Sequence, residues 1–125
     1  MPAAVDVQYS DSQQRVATVR ADVAFGDPTS DRFSMPGYTP VAIAVDGATG
    51  AATYTNAEMQ AVSRAVDPDA RMARVPGTNL AADGIAIPAT GCDLFEQAAY
   101  RFAVAATAGA IRVTATFVRI RQPNA

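Results

Sequence analysis

An all-β fold, an antiparallel β-sandwich of jelly-roll-like form with six to eight short strands, is what this sequence predicts, on three observations. Stretches such as 15–25 and 111–117 alternate apolar and polar residues with a period of two. Clusters of Gly, Pro, Asp and Ser interrupt them at short intervals, as at Gly26 to Asp31 and Met35 to Pro40. No long amphipathic segment and no strand–helix alternation is present, which leaves room for at most one short helix.

Taken in order, residues 1–14 are polar, aperiodic and rich in Ser, Gln and Asp. They read as an extended N-terminal arm held by a neighbour, ahead of a single β-sandwich domain over 15–125. From Arg15 to Phe25, Ala17, Val19, Ala21, Val23 and Phe25 share one face, a half-buried strand. Thr39 to Asp46 gives a second strand with Val41, Ile43 and Val45 together. The turn at Gly47 to Gly50 then leads into a short strand through Tyr54, and the pair reads as a hairpin. Asn56 to Val66 fits either a helix capped by Asn56, with Met59, Val62 and Val66 at helical spacing, or an irregular sheet connection.

Asp67 to Asn79 holds two prolines and reads as loop with a brief edge strand at Met72 to Val75. Gly84 to Pro88 is a short strand, and Thr90 to Ala98 a connection or single helical turn. Tyr100, Phe102 and Val104 share a face in a strand ending near Ala106, and the Thr107 to Gly109 turn opens the last one, Ile111 to Gln122. In that strand the odd positions are apolar through Phe117, whereas Val118 and Ile120 are even. A β-bulge near Phe117 and Val118 would produce the switch and turn Arg119 and Arg121 outward.

The composition narrows the function. Of 62 apolar residues 28 are alanine, so the core is modest and contacts with further copies of the chain, as in a trimer, would help it; a GC-rich genome would give the same alanine excess and the same lack of lysine. All ten basic residues are arginines, against twelve acidic residues and a pI near 4.8. Nucleic-acid binding needs a clustered positive field, which scattered arginines do not make. Cys92 is a single cysteine, so no internal disulfide forms. The first ten residues lack the basic and apolar parts of an ordinary signal peptide, and no stretch approaches the ~20 apolar residues of a membrane helix. Synthesis in a cytoplasm and no membrane partner are the expectations.

Histidine and lysine are absent, which removes the commonest general base, the commonest metal ligand and Schiff-base chemistry. Cys92 has no imidazole to activate it. Asp93 and Glu96 stand one helical turn apart, a spacing open to acid/base work but ordinary for surface carboxylates. Asp27, Asp31, Asp67, Asp69 and Asp83 lie in turns, where carboxylates bond their own backbone, and none fits the twelve-residue calcium loop. The GATG sequence at 47–50 lacks the Lys and Ser/Thr of a phosphate loop. No catalytic residue, metal or cofactor is expected. Tryptophan is absent, so a sugar platform would have to come from Tyr9, Tyr38, Tyr54 or Tyr100; Tyr38 is the best placed of these, but it reads first as a loop anchor packing on the sheet edge.

From about Ser34 to Arg121 the layout resembles small β-sandwich proteins of tailed bacteriophages and related particles. The matching features are the Val41 to Val45 strand between prolines and the DGATG turn, the Gly84 to Pro88 segment, Tyr100-Arg-Phe, and the closing Ile111 to Ile120 strand. The Asn56 to Asn79 stretch departs from that pattern. The resemblance implies a non-enzymatic virion structural role: decorating or cementing a capsid, or forming the base of a head spike or fibre. Its partners would be the major capsid or other virion proteins. Contact is expected through Tyr9, Tyr38, Arg112, Arg119 and Arg121, with the arm and strand edges. The chain would reside in the virion after synthesis in the bacterial host cytoplasm. A carbohydrate- or surface-binding sandwich module is the alternative, and a small hydrolase working only with carboxylates a more distant one.

Overall fold

The computed structural model describes residues 4–10, 12–35, 37–47, 51–63, 73–75, 77–88 and 97–119. Eight strands make up the fold: β1 (Val5–Tyr9), β2 (Val16–Ala24), β3 (Tyr38–Gly47), β4 (Thr53–Ser63), β5 (Ala73–Arg74), β6 (Gly84–Ala86), β7 (Gln97–Ala108) and β8 (Ala110–Arg119). They form two antiparallel sheets, β1-β2-β8-β3-β6 and β5-β4-β7, and no helix occurs among the described residues.

The second sheet is wider than its three strands. Pro28 to Phe33 runs along the free edge of β7, with bridges Thr29 to Ala103 and Phe33 to Tyr100. Phe33 and Tyr100 exchange both backbone hydrogen bonds (2.8 and 2.7 Å), and Val104 N–H donates to Pro28 O (2.8 Å). Counting that segment, β2-β8-β3-β6 faces a layer ordered 28–33, β7, β4, β5. From β2 onward, with 28–33 counted, successive strands cross between layers except for the β4–β5 pair, which is the double Greek key of a jelly roll.

Alternation builds the core. Ala17, Val19, Ala21 and Val23 on β2, and Ile111, Val113, Ala115 and Phe117 on β8, point inward against Ala57, Met59 and Ala61 on β4 and Tyr100, Phe102 and Val104 on β7. Phe33 packs between Tyr100 (5.8 Å) and Phe102 (5.4 Å), and Phe117 meets Tyr100 edge-on at 5.3 Å. Small alanines opposite these rings let the layers close on them.

Three expectations change. The bulge lies on β3 and not on β8: β8 pairs with β2 in unbroken register from Ala110 to Val118, while β3 shifts between Pro40 and Ala42. Tyr38 and Pro40 are therefore buried with Ile43 and Val45, and Val41 is turned outward. Proline has no N–H for the ladder, so a bulge is where a paired strand tolerates it.

Asn56 to Ser63 is neither helix nor connection but most of β4, an eleven-residue strand. Asn56, Glu58 and Gln60 take one face and Ala57, Met59 and Ala61 the other. Finally, β3 and β4 do not form the expected hairpin but lie in different sheets, as β7 and β8 also do. Gly109 alone joins β7 to β8 at φ 70°, a left-handed corner natural to glycine, and its carbonyl accepts from Phe25 N–H (2.8 Å).

Candidate functional site

Among the described residues, the side chains singled out for contact fall into two groups at opposite ends of the five-stranded sheet. Tyr9, Tyr38 and Arg119 come together around the β1–β2 turn. Tyr38 is buried, its hydroxyl donates to Gln14 O, and its ring lies 6.3 Å from that of half-exposed Tyr9. The Arg119 guanidinium donates to Gln13 O, and its amide to Arg15 O (2.9 Å). Gln14 sits at φ 57°, left-handed for a residue with a Cβ. The carbonyls of Gln13 and Gln14 are thus clamped from β8 and β3, which holds the turn in that conformation.

The parity of β8 explains Arg119 without a bulge. Arg119 continues the inward series of Val113, Ala115 and Phe117, but at this end its neighbours are turn carbonyls. Its Nε is buried without an acceptor among the described residues.

Arg112 lies seven residues away, on the outward face. Its Nε donates to Asp22 Oδ1 (3.0 Å), and Asp46 is its cross-strand neighbour on β3. The Asp22 hydrogen bond, then the Asp22 charge, raise its pKa despite some desolvation, with Asp46 adding to the rise. Arg20 approaches Asp6 at 3.7 Å on the same face. Between these pairs a shallow groove is lined by Asp6, Gln8, Thr18, Arg20, Arg112 and Thr114. Arg121 lies outside the described residues, as do Cys92, Asp93, Glu96, Asp67 and Asp69.

The outer face of the second sheet carries a network that the sequence reading missed. Glu58, only 7% exposed, accepts from Asn56 Nδ2 (2.8 Å), Gln60 Nε2 (2.9 Å) and Arg74 Nε (2.9 Å), and Arg74 also pairs with it through a second nitrogen at 2.9 Å. Gln60 Oε1 in turn accepts from Arg101 Nε (2.7 Å). Burial pushes the Glu58 carboxyl up, but hydrogen bonds from Gln60, Arg74 and Asn56, with the Arg74 charge, bring it below its ordinary value. The Arg101 guanidinium is lowered by burial and by nearby Arg32. The signal in the sequence was the alternation Asn56, Glu58, Gln60 itself.

Of the turn aspartates, Asp83 accepts from Tyr54 Oη (2.8 Å) and Gly47 N–H (3.3 Å), a bond that joins the loop before β6 to the end of β3. Burial first, then Asp83, raises the Tyr54 phenol above its ordinary range. The described residues include no group of three or more His, Cys, Asp or Glu able to hold a metal. No described helix is long and apolar enough to cross a membrane. Among the described residues, the exposed large apolar side chains are Val7, Tyr9, Phe25, Val41, Ile85 and Ile87. They sit on edge strands, the β3 bulge and turns.

No family model matches the chain, and no curated protein matches it. Several solved structures are similar. The SPBc2 prophage-derived protein YomS is 12% identical over 81% of this chain and 94% of its own, with a TM-score of 0.49. Peruvianin-I, a cysteine peptidase from Thevetia peruviana latex, is 12% identical over 92% of this chain and 61% of its own, with a TM-score of 0.47. The capsid asymmetric unit of cyanophage Pam1 is 15% identical over 95% and 87%, with a TM-score of 0.33. At such values these are loose likenesses of strand arrangement, and no function follows from them.

Proposed function

We propose that this chain is a non-enzymatic structural protein of a virion, one that decorates or cements a phage capsid or seats a head spike or fibre. The observation that carries the reading is where its exposed apolar and charged groups lie. Val7, Tyr9, Phe25, Ile85 and Ile87 sit along sheet edges and corners, as on a surface meant to be covered. Described carboxylates and guanidinia close on one another instead, as Asp22 with Arg112, Asp6 with Arg20 and Glu58 with Arg74. The two exposed pairs add little stability, but each engages a carboxylate with a guanidinium and not with a reacting group. The absence of histidine and lysine points the same way.

In this reading the partners are the major capsid protein or its neighbours in the shell; the end of the sheet carrying Tyr9, Tyr38 and Arg119 is a contact region, Arg112 is a second contact at the far end, and Arg121, outside the described residues, is a further contact residue of the proposal. Mass spectrometry of purified particles tests it. The chain should be present at a fixed ratio to the shell subunit; its absence from particles that assemble and infect normally would refute the role.

The alternative, a carbohydrate- or surface-binding module, loses most of its aromatic platform. Tyr38 and Tyr100 are buried and the Tyr54 hydroxyl is engaged with Asp83, which leaves Tyr9 as the tyrosine with an open face.

A further inference from the structure

Of the sheet edges in the described residues, three are short or blunted. β5 has two residues and β6 three, the latter followed by Pro88. The 28–33 segment carries Pro28 and joins β7 partly through a side chain. β1 is different: five residues, no proline, no inward-pointing charge, and one long side unpaired. Natural sheets usually protect such an edge.

Which groups β1 offers follows from its pairing with β2. Ser10 N–H donates to Val16 O (2.9 Å), and the register continues as Tyr9 with Ala17, Gln8 with Thr18, Val7 with Val19 and Asp6 with Arg20. In an antiparallel ladder the residues that bond a given neighbour alternate, so Asp6, Gln8 and Ser10 point their backbone groups at β2. The N–H and C=O of Val5, Val7 and Tyr9 therefore face outward along the free edge. Their side chains lie on the inner face, where the second sheet does not reach far enough to cover Val7 (36% exposed) or Tyr9 (46% exposed).

We infer that β1 is a dimerisation edge that pairs antiparallel with β1 of a second copy, on a two-fold axis through Val7. Only odd residues need to bond across this axis, and only odd residues are available. Val7 meets Val7 of the copy and Val5 meets its Tyr9, each pair exchanging both backbone bonds. With the axis perpendicular to the sheet, inner faces stay on one side, so Val5, Val7 and Tyr9 of both copies form one apolar strip. On the outer face Asp6 stands opposite Gln8 of the copy, an acceptor facing an amide donor; within one chain Gln8 already reaches Asp6 at 3.2 Å. A two-fold axis through Asp6 would instead set like charges opposite each other, which the sequence disfavours. The contact is isologous and closes at two copies. It holds whether or not the chain belongs to a virion.

Sedimentation velocity on the full chain over a wide concentration range, with Val7→Pro beside it, tests the edge. Proline at 7 removes an N–H that β2 does not use, so the fold and its melting temperature should survive while the dimer dissociates. Cysteines test the register in a Cys92→Ser background. Val7→Cys lies on the axis at a Cα separation of about 5.5 Å and should oxidise to a covalent dimer. Val5→Cys, more than ~10 Å from its own copy in this register, should not. A wild-type chain that is monomeric throughout, an oligomer that persists in Val7→Pro, or equal cross-linking at both positions would each overturn the proposal.

Discussion

Two buried hydroxyls splice the edges of the second sheet, and they show how single atoms decide this fold. Thr78 Oγ1 accepts from Met59 N–H (3.3 Å) and donates to Val75 O (2.7 Å) where β5 stops covering β4. Ser30 Oγ accepts from Phe102 N–H (2.9 Å) and donates to Asp31 O (3.0 Å) at the opposite edge. Replacing Thr78 by Val keeps the volume but strands a buried N–H, which costs about 1–3 kcal/mol. Chemical denaturation of Thr78→Val should show that loss, and a midpoint equal to the wild type would contradict the role. Glu58 sets an acid limit. Its folded pKa lies below the unfolded value of about 4.3, so its stabilisation is complete above that value and disappears as pH falls through the folded one. The melting-temperature gap between wild type and Glu58→Gln should be widest near neutral pH and close as the pH falls below the ordinary carboxylate range. A gap independent of pH would show that the Arg74 pair does not matter. Neither hydroxyl could be assigned from sequence, because Ser30 and Thr78 look like ordinary turn residues until the edge they complete is known.

At the scale of elements, legibility followed how completely one face was buried. β2 and β8 were readable because each inward position is apolar and each outward one polar or small over most of their length. β4 alternates over a shorter stretch, with Ala57, Met59 and Ala61 against Asn56, Glu58 and Gln60, between places where its register with β7 shifts. Its residues are strong helix formers behind a capping asparagine, however, so local propensity masked the tertiary pattern. The sheet switches at β3–β4 and β7–β8 are silent in sequence, since a glycine turn looks alike whether its strands pair or separate. The β1–β2 turn yields a prediction at this level. Arg119→Ala releases Gln13 O, so amide exchange at Ser10 and its neighbours should speed up while Val113 and Ala115 in the middle of β8 stay protected. Equal protection in both proteins would mean that the clamp does not hold the turn. Removing residues 1–14 should lower stability by on the order of 2 kcal/mol, because β1 is mostly exposed. Cooperative unfolding should remain.

The whole molecule is a jelly roll whose larger sheet extends beyond the smaller one at the β1 edge. One end of that sheet is tied by Tyr38 and Arg119, the other carries the Arg112–Asp22 pair, and the β1 edge is left open. The candidate contact residues were visible in sequence as single side chains. Their division between two ends was not, since it depends on β8 keeping its register to Val118 and bringing Arg119 onto the inward side, opposite in parity to Arg112. A scaffold of this shape is suited to being covered at an edge and an end. Titration of the labelled chain onto shells that lack it measures such covering. In the proposed role, binding saturates at a fixed ratio to shell subunits and is lost when residues 1–14 are removed from a domain that still unfolds cooperatively. Binding that never saturates, or that is unchanged by the truncation, would contradict it.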